Sequence, residues 1–484
     1  MTVADVIADA LARAGTARVF VADAPDDPVL AAMERRGVAV TRVDGAATAC
    51  AMAAVWGTAM GVPGAALPGH DPAGLSRGLA YAAAARAPVI VVTHGAAPSA
   101  GPISPLAPDA PLAVARDSAA HVAAHACHLA MTEPWRPVHL DVDAAVAEAP
   151  SLPVAARSRR APVDSPDAGS LDAAVRALQA AERPVVVVGL YCRSGGDAAW
   201  IRAFVQARPA PVLVTPRARG AVPDPHPLLI GTLGAGEAER ALLDEADLVV
   251  GVGVDREEAP AWPGRMILEL TPVPGSSSAE RVVVVGEIAA ILEELAPRLR
   301  DRRLAEWDVA RLHALKTAAA APPAQGRLRT AYDVVASARG LLPAGAIAVF
   351  EGGDAWRTPS RAWQAVAPGE LLTSTHRATD GFVVAAAAAA QLAHPDRRVV
   401  CFADLPAIRR ASQHLGALAR PDVPVLVVAV EAETASDPPL SPAPDPAAVV
   451  APGDFPAAFQ AVAGRRHAGV VVVRTARTTP ENQA

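Results

Sequence analysis

The stretch GVAVTRVDGAATACAMAAVWGTAM (residues 37–60) passes from a strand pattern to a helix pattern within one turn. Residues 37–43 carry β-branched side chains at short intervals, and residues 46–60 are almost all small or apolar. A short β-branched run followed by a helical segment predicts a βαβ unit, in which helices join parallel strands. The same alternation recurs along the whole chain, so it decides the fold class.

Three blocks of this alternation follow one another. Because their strand patterns are nearly continuous apolar runs, we expect parallel sheets that are covered on both faces. The sequence therefore predicts an α/β fold of three doubly wound domains, with proline-rich linkers at 149–169 and 317–327. The blocks and their strand patterns are 1–150 (ARVFVA, VAVTRV, PGAALP, PVIVVTHG, PVHLDV), 170–320 (RPVVVVG, PAPVLVTP, ADLVVGVGVD, RMILEL, RVVVVG) and 328–484 (AIAVFEGG, RRVVCFAD, VPVLVVAVEA, AGVVVVRTA).

The composition excludes several classes of protein. Of the 484 residues, 52% are hydrophobic and 19% charged, which indicates large buried cores and not disorder. A net charge of −6 without a basic block argues against a nucleic acid or an anionic membrane as partner. The N-terminus lacks the pattern of a signal peptide, and we interpret the alanine-rich run 382–394 as a buried helix, not a membrane span. Four widely spaced cysteines fit the reduced thiols of a cytoplasmic protein.

Ordered motifs in the three blocks carry a family resemblance. They include GVPG (61–64) and RPVHLDV (136–142) in block one, PVLVTPRARGAVPDPHPLLIG (211–231) in block two, and FEGGD (350–354) with DGFVVAAAAAA (380–390) in block three. In this order they resemble the acetolactate-synthase-like branch of the thiamine diphosphate (ThDP) enzymes. The resemblance implies a pyrimidine-binding, a central and a diphosphate-binding domain. It also implies decarboxylation or carboligation of a 2-oxo acid with ThDP and Mg²⁺.

The family's catalytic carboxylate is missing from this sequence. Counts forward from Gly37 and back from Met52 both place Ala46 where the family has a glutamate that hydrogen-bonds the pyrimidine ring. Alanine has no polar side-chain group. We interpret the neighbouring Asp44 as a turn or helix-capping residue in preference to a functional substitute. One member type of the family, glyoxylate carboligase, works without this glutamate, so its loss alone does not exclude activity.

The metal site that the resemblance implies is altered as well. Asp404 keeps the position of a metal ligand, whereas Leu405 replaces a glycine that lets phosphate approach the backbone. Glu431 and Ala432 stand where the family has two asparagines. Successive strand residues face opposite sides, so Glu431 would ligate a metal only after a register shift of one residue. As a cap or turn residue Asp404 needs no metal, and we favour that interpretation.

Other positions are expected near the same cofactor. The resemblance places Gly69 and Gly352 beside ThDP, and it puts Asp380 where an apolar side chain normally holds the two cofactor rings in a bent arrangement. His70, His94 and His376 follow strand patterns, and one of them could donate a proton, although a structural or solvated histidine is the commoner case. The segment after Glu431 is shorter than the lid of family members.

Flavin is a weaker expectation. The GVGVD run (251–255) is not a GxGxxG motif opening a helix, and a tight turn at a strand end explains its glycines. FAD in the central domain is therefore possible but is not the favoured interpretation.

Three functional hypotheses remain open from the sequence. The first is a ThDP enzyme acting on a 2-oxo acid, with ordinary acetolactate synthesis weak or absent. The second is a non-catalytic subunit that pairs with an intact paralogue. The third is an enzyme that reuses the cleft for chemistry without ThDP. The resemblance implies a homodimer or homotetramer, or a heteromer under the second hypothesis.

Overall fold

The computed structural model divides the chain into two compact units. The first comprises Met1–Ala161, Ala348–Gly353 and Ser374–Ala484, and the second comprises Pro162–Ile347 and Asp354–Thr373. The three-domain boundaries expected from the sequence stay a prediction. The structure describes residues 1–23, 26–95, 111–151, 165–207, 209–234, 236–258, 265–299, 305–321, 330–373, 382–411, 423–432, 448–465 and 467–475.

Block one forms a six-stranded parallel sheet with helices between its strands. The strand order is β2-β1-β3-β4-β6-β5. One face of the sheet packs against α1, α2 and α5, and α3 packs on the other face together with α4. The elements are α1 (Val3–Arg13), β1 (Arg18–Val21), α2 (Pro28–Arg35), β2 (Ala39–Arg42), α3 (Ala46–Met60), β3 (Gly64–Leu67), α4 (Pro72–Ala84), β4 (Val89–Thr93), β5 (Leu112–Ala113), α5 (Ala119–Met131), β6 (Pro137–Asp141) and α6 (Ala144–Glu148).

Block two forms the second sheet, in the order β12-β11-β10-β7-β8-β9. Val186 and Val188 enter the core under α7, α8 and α10, whereas Val185 and Val187 enter the core under α9 and α11. Both faces of the sheet are thus buried, which is why its strands read as unbroken apolar runs. The elements are α7 (Ala168–Ala180), β7 (Pro184–Val188), α8 (Gly195–Ala207), β8 (Val212–Val214), β9 (Leu229–Thr232), α9 (Glu237–Glu245), β10 (Leu248–Val252), β11 (Met266–Thr271), β12 (Arg281–Val285), α10 (Ile288–Arg298) and α11 (Val309–Ala320).

Block three forms the third sheet, in the order β14-β13-β15-β16-β18-β17. Three six-stranded parallel sheets with interleaved helices confirm the expected fold class. The elements are α12 (Ala331–Leu341), β13 (Ile347–Phe350), α13 (Asp354–Ser360), β14 (Leu371–Thr373), α14 (Phe382–Ala393), β15 (Val399–Asp404), α15 (Leu405–Arg410), β16 (Leu426–Ala432), β17 (Ala448–Val450), α16 (Phe455–Ala463) and β18 (Gly469–Thr475).

The alanine-rich segment of block three is a buried helix, as expected. Every residue of α14 from Phe382 to Gln391 is buried, and the helix packs along α3. The aromatic rings of Tyr81 and Phe382 meet beside this contact, with centroids 5.1 Å apart. Within the described residues, no helix combines the length and the apolar character needed to cross a membrane.

Helices α3 and α4 approach each other almost backbone to backbone. A Cβ atom placed on Gly78 would lie 2.5 Å from Cys50 Cβ and 3.4 Å from Ala47 Cα, so only glycine fits at this position. Four residues earlier, a Cβ on Gly74 would lie 3.1 Å from Ala46 Cβ. Burial raises the pKa of the Cys50 thiol to about 12, so this side chain acts as a small apolar spacer.

Asp27 ties the start of α2 to the end of β4. Its Oδ1 accepts hydrogen bonds from the backbone N–H groups of Val29 and Leu30, and its Oδ2 lies 2.8 Å from His94 Nε2. The other ring nitrogen of His94 lies 3.1 Å from the carbonyl oxygen of Val142. A carbonyl and an ionised carboxylate can only accept, so this pairing favours the imidazolium form of His94, in which both ring nitrogens donate. Burial opposes this charge, but the hydrogen bond and charge of Asp27 outweigh it and raise the pKa of His94.

We predict that Gly78→Ala destabilises the protein through the α3–α4 contact. The added methyl group must push the two helices apart, which costs about 1–3 kcal/mol of unfolding free energy. Gly340→Ala in α12 is the matched control, because a Cβ there meets nothing within 4 Å. That control should stabilise by roughly 0.4–1 kcal/mol through the unfolded state. Denaturant unfolding measures both, and equal effects of the two substitutions would contradict the close contact.

We predict that Asp27→Asn costs more stability at pH 6 than at pH 9. The folded pKa of His94 is raised above the ordinary value of 6.5, so the ion pair stabilises fully below 6.5 and its contribution is lost as pH rises through the raised value. Asparagine keeps the cap acceptor and removes the charge. Asp143→Asn is the control, because Asp143 also caps a helix, through Ala145 N at 2.8 Å. Unfolding free energies at the two pH values should show a pH-dependent cost for Asp27→Asn alone.

Candidate functional site

Most residues expected from the sequence lie where strands of the first sheet end. Because the strands are parallel, their carboxyl ends meet at one edge of the sheet, which is the usual place for a ligand in such folds. Ala46 follows β2, Gly69 and His70 follow β3, and His94 follows β4. The structure therefore brings the block-one positions to one edge.

Ala46 is the first residue of α3 and is fully buried. The N-cap position before it is Gly45, and no side chain caps the helix. Asp44 is exposed in the bend that precedes α3, where its backbone carbonyl accepts the hydroxyl hydrogen of Thr48 at 2.7 Å. Asp44 is thus a turn residue, and its carboxylate does not cap the helix.

The turn after β3 holds a carboxylate that the sequence reasoning missed. Gly69 has a φ of +67°, and a Cβ there would lie 2.7 Å from the carbonyl oxygen of Ala22, so the position requires glycine. His70 is exposed, and Asp71 caps α4 by accepting a hydrogen bond from Gly74 N at 2.9 Å. The signal in the sequence was Asp71-Pro72, because a capping acid followed by proline at the first helical position marks a helix start.

His94 is engaged in the structure and is not a free proton donor. The contacts with Asp27 and Val142 described above take up both ring nitrogens. Sequence reasoning selected His94 from its place at a strand end, but it missed Asp27, which stands some 67 residues earlier in the chain.

A second histidine, His139, is buried within strand β6 of the same sheet. Thr93 Oγ1 donates its single hydrogen to Asp141 Oδ1 at 2.9 Å, so the contact of 2.7 Å with His139 Nε2 is a hydrogen bond donated by the ring. Burial lowers the pKa of His139, with Asp141 opposing the shift. His139 is therefore neutral, and it was not anticipated because it lies within the apolar pattern of β6.

The residues expected at the metal site lie in or next to the third sheet. Asp404 ends β15 and is exposed, and Leu405 begins α15 and is 4% exposed. Glu431 lies in β16 and is buried, and its Oε2 accepts a hydrogen bond from Arg474 Nε at 2.8 Å. Among the described residues, no three His, Cys, Asp or Glu side chains form a cluster that could hold a metal ion. Ligation by Asp404 and Glu431 stays a prediction.

Gly352, in the turn after β13, is partly buried, whereas two expected site residues, His376 and Asp380, lie outside the described residues. The roles assigned to Gly352, His376 and Asp380 therefore stay predictions, as does the role of Leu405 beside a phosphate.

In the second unit, the GVGVD run forms a tight turn at the end of β10. Gly253 has a φ of +61°, and a Cβ there would lie 2.6 Å from Cys192 Sγ. The Tyr191 hydroxyl donates a short hydrogen bond to Asp255 across this turn. Glu258 is buried beside Arg217, and its pKa is raised by burial against the opposing charge of Arg217. These contacts account for the glycines without a nucleotide.

Two family models match the chain. Residues 1–100 match the N-terminal thiamine pyrophosphate (ThDP) binding domain of thiamine pyrophosphate enzymes, and residues 171–295 match the central domain of the same enzymes. The two matched segments thus lie within block one and block two, respectively.

Curated proteins with similar sequences support the same assignment as the two family models. The chain is 27% identical over 287 residues to acetolactate synthase isozyme 1 large subunit of Escherichia coli, covering 55% of this chain and 49% of that protein. It is 29% identical over 308 residues to a Pseudomonas aeruginosa protein named "Probable 2-ketoarginine decarboxylase", covering 61% and 54% of the two chains. The matched region thus spans about half the length of these relatives.

A solved structure shows the same fold over the whole chain. It is the thiamine diphosphate-dependent 4-hydroxybenzoylformate decarboxylase of Rhodococcus jostii, with a TM-score of 0.80 and 19% identity, covering 98% of this chain and 99% of that one. The sequence resemblance is confirmed by the domain models and the acetolactate synthase relatives. On these matches, the chain carries the N-terminal and central domains of thiamine diphosphate-dependent enzymes and is similar to acetolactate synthases.

Proposed function

We propose that the protein binds ThDP and acts on a small 2-oxo acid by decarboxylation or carboligation, with ordinary acetolactate synthesis weak or absent. The observation that carries the second part is the burial of Ala46 at the start of α3, against α4. The expected glutamate is absent, and the space next to the alanine is filled by the neighbouring helix. General acid–base groups contribute about 10²–10⁴-fold to a reaction rate, so their loss removes most turnover.

The described residues fit ThDP better at the pyrimidine end than at the metal end. Asp71 brings a carboxylate beside Ala46, which is where the family contacts the pyrimidine ring. At the diphosphate end, the exposed carboxylate of Asp404 would be the protein ligand for Mg²⁺, an ion that commonly keeps several waters when few carboxylates hold it. When bound, ThDP supplies a nucleophilic carbon for addition to the 2-oxo group and an acceptor for the electrons of the breaking carbon–carbon bond.

Charges near the proposed cleft limit what the protein's own groups can do. His94 is held as an imidazolium and His139 as a neutral ring, and both are tied to fixed partners. Neither ring is positioned to exchange protons with a substrate. His70 is exposed beside Asp71, and it is the described histidine that we assign to proton transfer at the edge of the first sheet.

The small number of metal ligands among the described residues leads to a further proposal about cofactor affinity. With one described carboxylate for Mg²⁺, ThDP should bind more weakly and depend less on Mg²⁺ than in a member with a full ligand set. Partners follow from the family: a homodimer or homotetramer is proposed, and a heteromer with an intact paralogue would explain a protein that binds no cofactor. FAD is not part of the proposal, because the contacts of the GVGVD turn leave its glycines explained.

We predict that ThDP binds while acetolactate formation from pyruvate is at least about 10²-fold slower than in an intact acetolactate synthase at equal concentration, because the carboxylate at position 46 is lost. Calorimetric titration with ThDP, with and without Mg²⁺, measures binding, and product assays measure turnover. Asp404→Asn should abolish the remaining Mg²⁺ dependence. Absence of ThDP binding under both conditions would overturn the proposal, and a rate equal to that of the intact enzyme would overturn its second part.

A further inference from the structure

Asp71 and Ala46 belong to different helices but meet at their first turns. Asp71 Oδ1 is fixed by the backbone N–H of Gly74, which sets the orientation of the carboxylate. A Cβ placed on Gly74 would lie 2.1 Å from Asp71 Oδ2 and 3.1 Å from Ala46 Cβ. The Oδ2 atom and the Ala46 side chain therefore both pack against Gly74, and this packing is possible because residue 74 has no side chain.

These distances bring the Asp71 carboxylate close to where a glutamate at position 46 would place its own. A glutamate carboxyl oxygen stands roughly 3–4 Å from its Cβ, and Asp71 Oδ2 lies within about 5 Å of Ala46 Cβ, since both are measured from one point. The Asp71 carboxylate thus lies within reach of a longer side chain at position 46. The two positions are 25 residues apart in sequence, so no alignment of the helix start reveals the pairing.

Exposure combined with a fixed orientation distinguishes Asp71 from the buried acids at this edge and from Asp44. Asp71 is exposed although its Oδ1 is fixed, so its second oxygen can meet a ligand. Asp27 is nine-tenths buried and paired with His94, and Asp141 accepts from Thr93. Asp44 is exposed but lies in the bend before α3, without a described contact that orients its carboxylate.

We propose that Asp71, and not Asp44, supplies the carboxyl group that hydrogen-bonds the pyrimidine ring nitrogen of ThDP in this protein, sharing one proton with that nitrogen. The inference rests on the proposed function, since it requires that ThDP binds. A carboxylate moved to a neighbouring helix and carried on a shorter side chain keeps the contact but shifts the ring, and misplacement by about 1 Å can cost 10²-fold in rate. Retained binding with weak turnover is the expected combination.

We predict that Asp71→Ser removes the protein's preference for the pyrimidine nitrogen. The probes are ThDP and an analogue in which the ring nitrogen that faces the carboxyl group is replaced by carbon. Hydrogen bonds to charged groups are the stronger class, so the wild type should bind ThDP about 10-fold more tightly than the analogue, and Asp71→Ser should bind the two within about 3-fold. Serine supplies a capping oxygen but has no second polar atom for the ring, so the variant should fold without this contact.

The control for this experiment is Asp143→Ser, which changes an exposed cap elsewhere in the same unit and should keep the wild-type preference. If the wild type does not bind ThDP, the proposed function and this inference both fail. If the wild type binds ThDP but shows no preference over the analogue, or if the preference survives in Asp71→Ser, the assignment of Asp71 alone is overturned.

We further predict that Ala46→Glu lowers the denaturation midpoint more in the wild type than in the Asp71→Asn background. The new carboxylate would lie beside that of Asp71 in a partly buried space, where like charges repel. Ala46→Gln is the matched control of equal size and should show no such difference. This double-mutant cycle needs no cofactor, and an equal loss in both backgrounds would overturn the proximity on which the inference depends.

Discussion

The close contact between α3 and α4 is the constraint on which the rest of the candidate site depends. Two glycines four residues apart on α4 face two small residues four residues apart on α3, so the helix backbones nearly touch along one stripe. The stripe fixes the rotation of α4 as well as its distance. Once that rotation is fixed, the N-terminal turn of α4 lies over the first turn of α3, and the cap of one helix becomes a neighbour of the other.

The close contact between α3 and α4 also determines what surrounds position 46, where the family has a glutamate. A position left empty by a simple substitution would be a cavity lined by the groups that once surrounded the carboxylate. Here Ala46 is fully buried, and its Cβ faces Gly74 and the carboxylate that caps α4. The small side chain at 46, the glycine at 74 and the acid at 71 therefore act as one packing arrangement, in which enlarging any one of the three disturbs the other two.

The sequence predicted the central strands of each sheet but missed four of the edge strands. Every strand that the apolar runs indicated is present, because a strand buried on both faces needs an unbroken run. The strands that were not anticipated are β5, β9, β14 and β17, which have two to four residues each. All four lie at the edge of a sheet. An edge strand needs less apolar surface and is often short, so its sequence does not stand out from a loop. The site residues at strand ends were found because the strand patterns mark those ends. Asp27 and Asp71 were not found, because their contacts with His94 and with the start of α3 join parts of the chain that are distant in sequence.

The two ends of the proposed cleft have changed in different ways. At the pyrimidine end a carboxylate is still present, carried by a different helix and held by a cap hydrogen bond. At the metal end the described part of the chain offers the single carboxylate of Asp404, followed by a buried leucine, while Glu431 is paired with Arg474. If both ends are used, more of the cofactor's binding energy must come from the ring and less from the metal-anchored diphosphate. A contact with the ring retains the cofactor, whereas a carboxylate displaced from position 46 supports a slower reaction. Under the proposed function, the protein would therefore keep the family's cofactor better than it keeps the family's turnover.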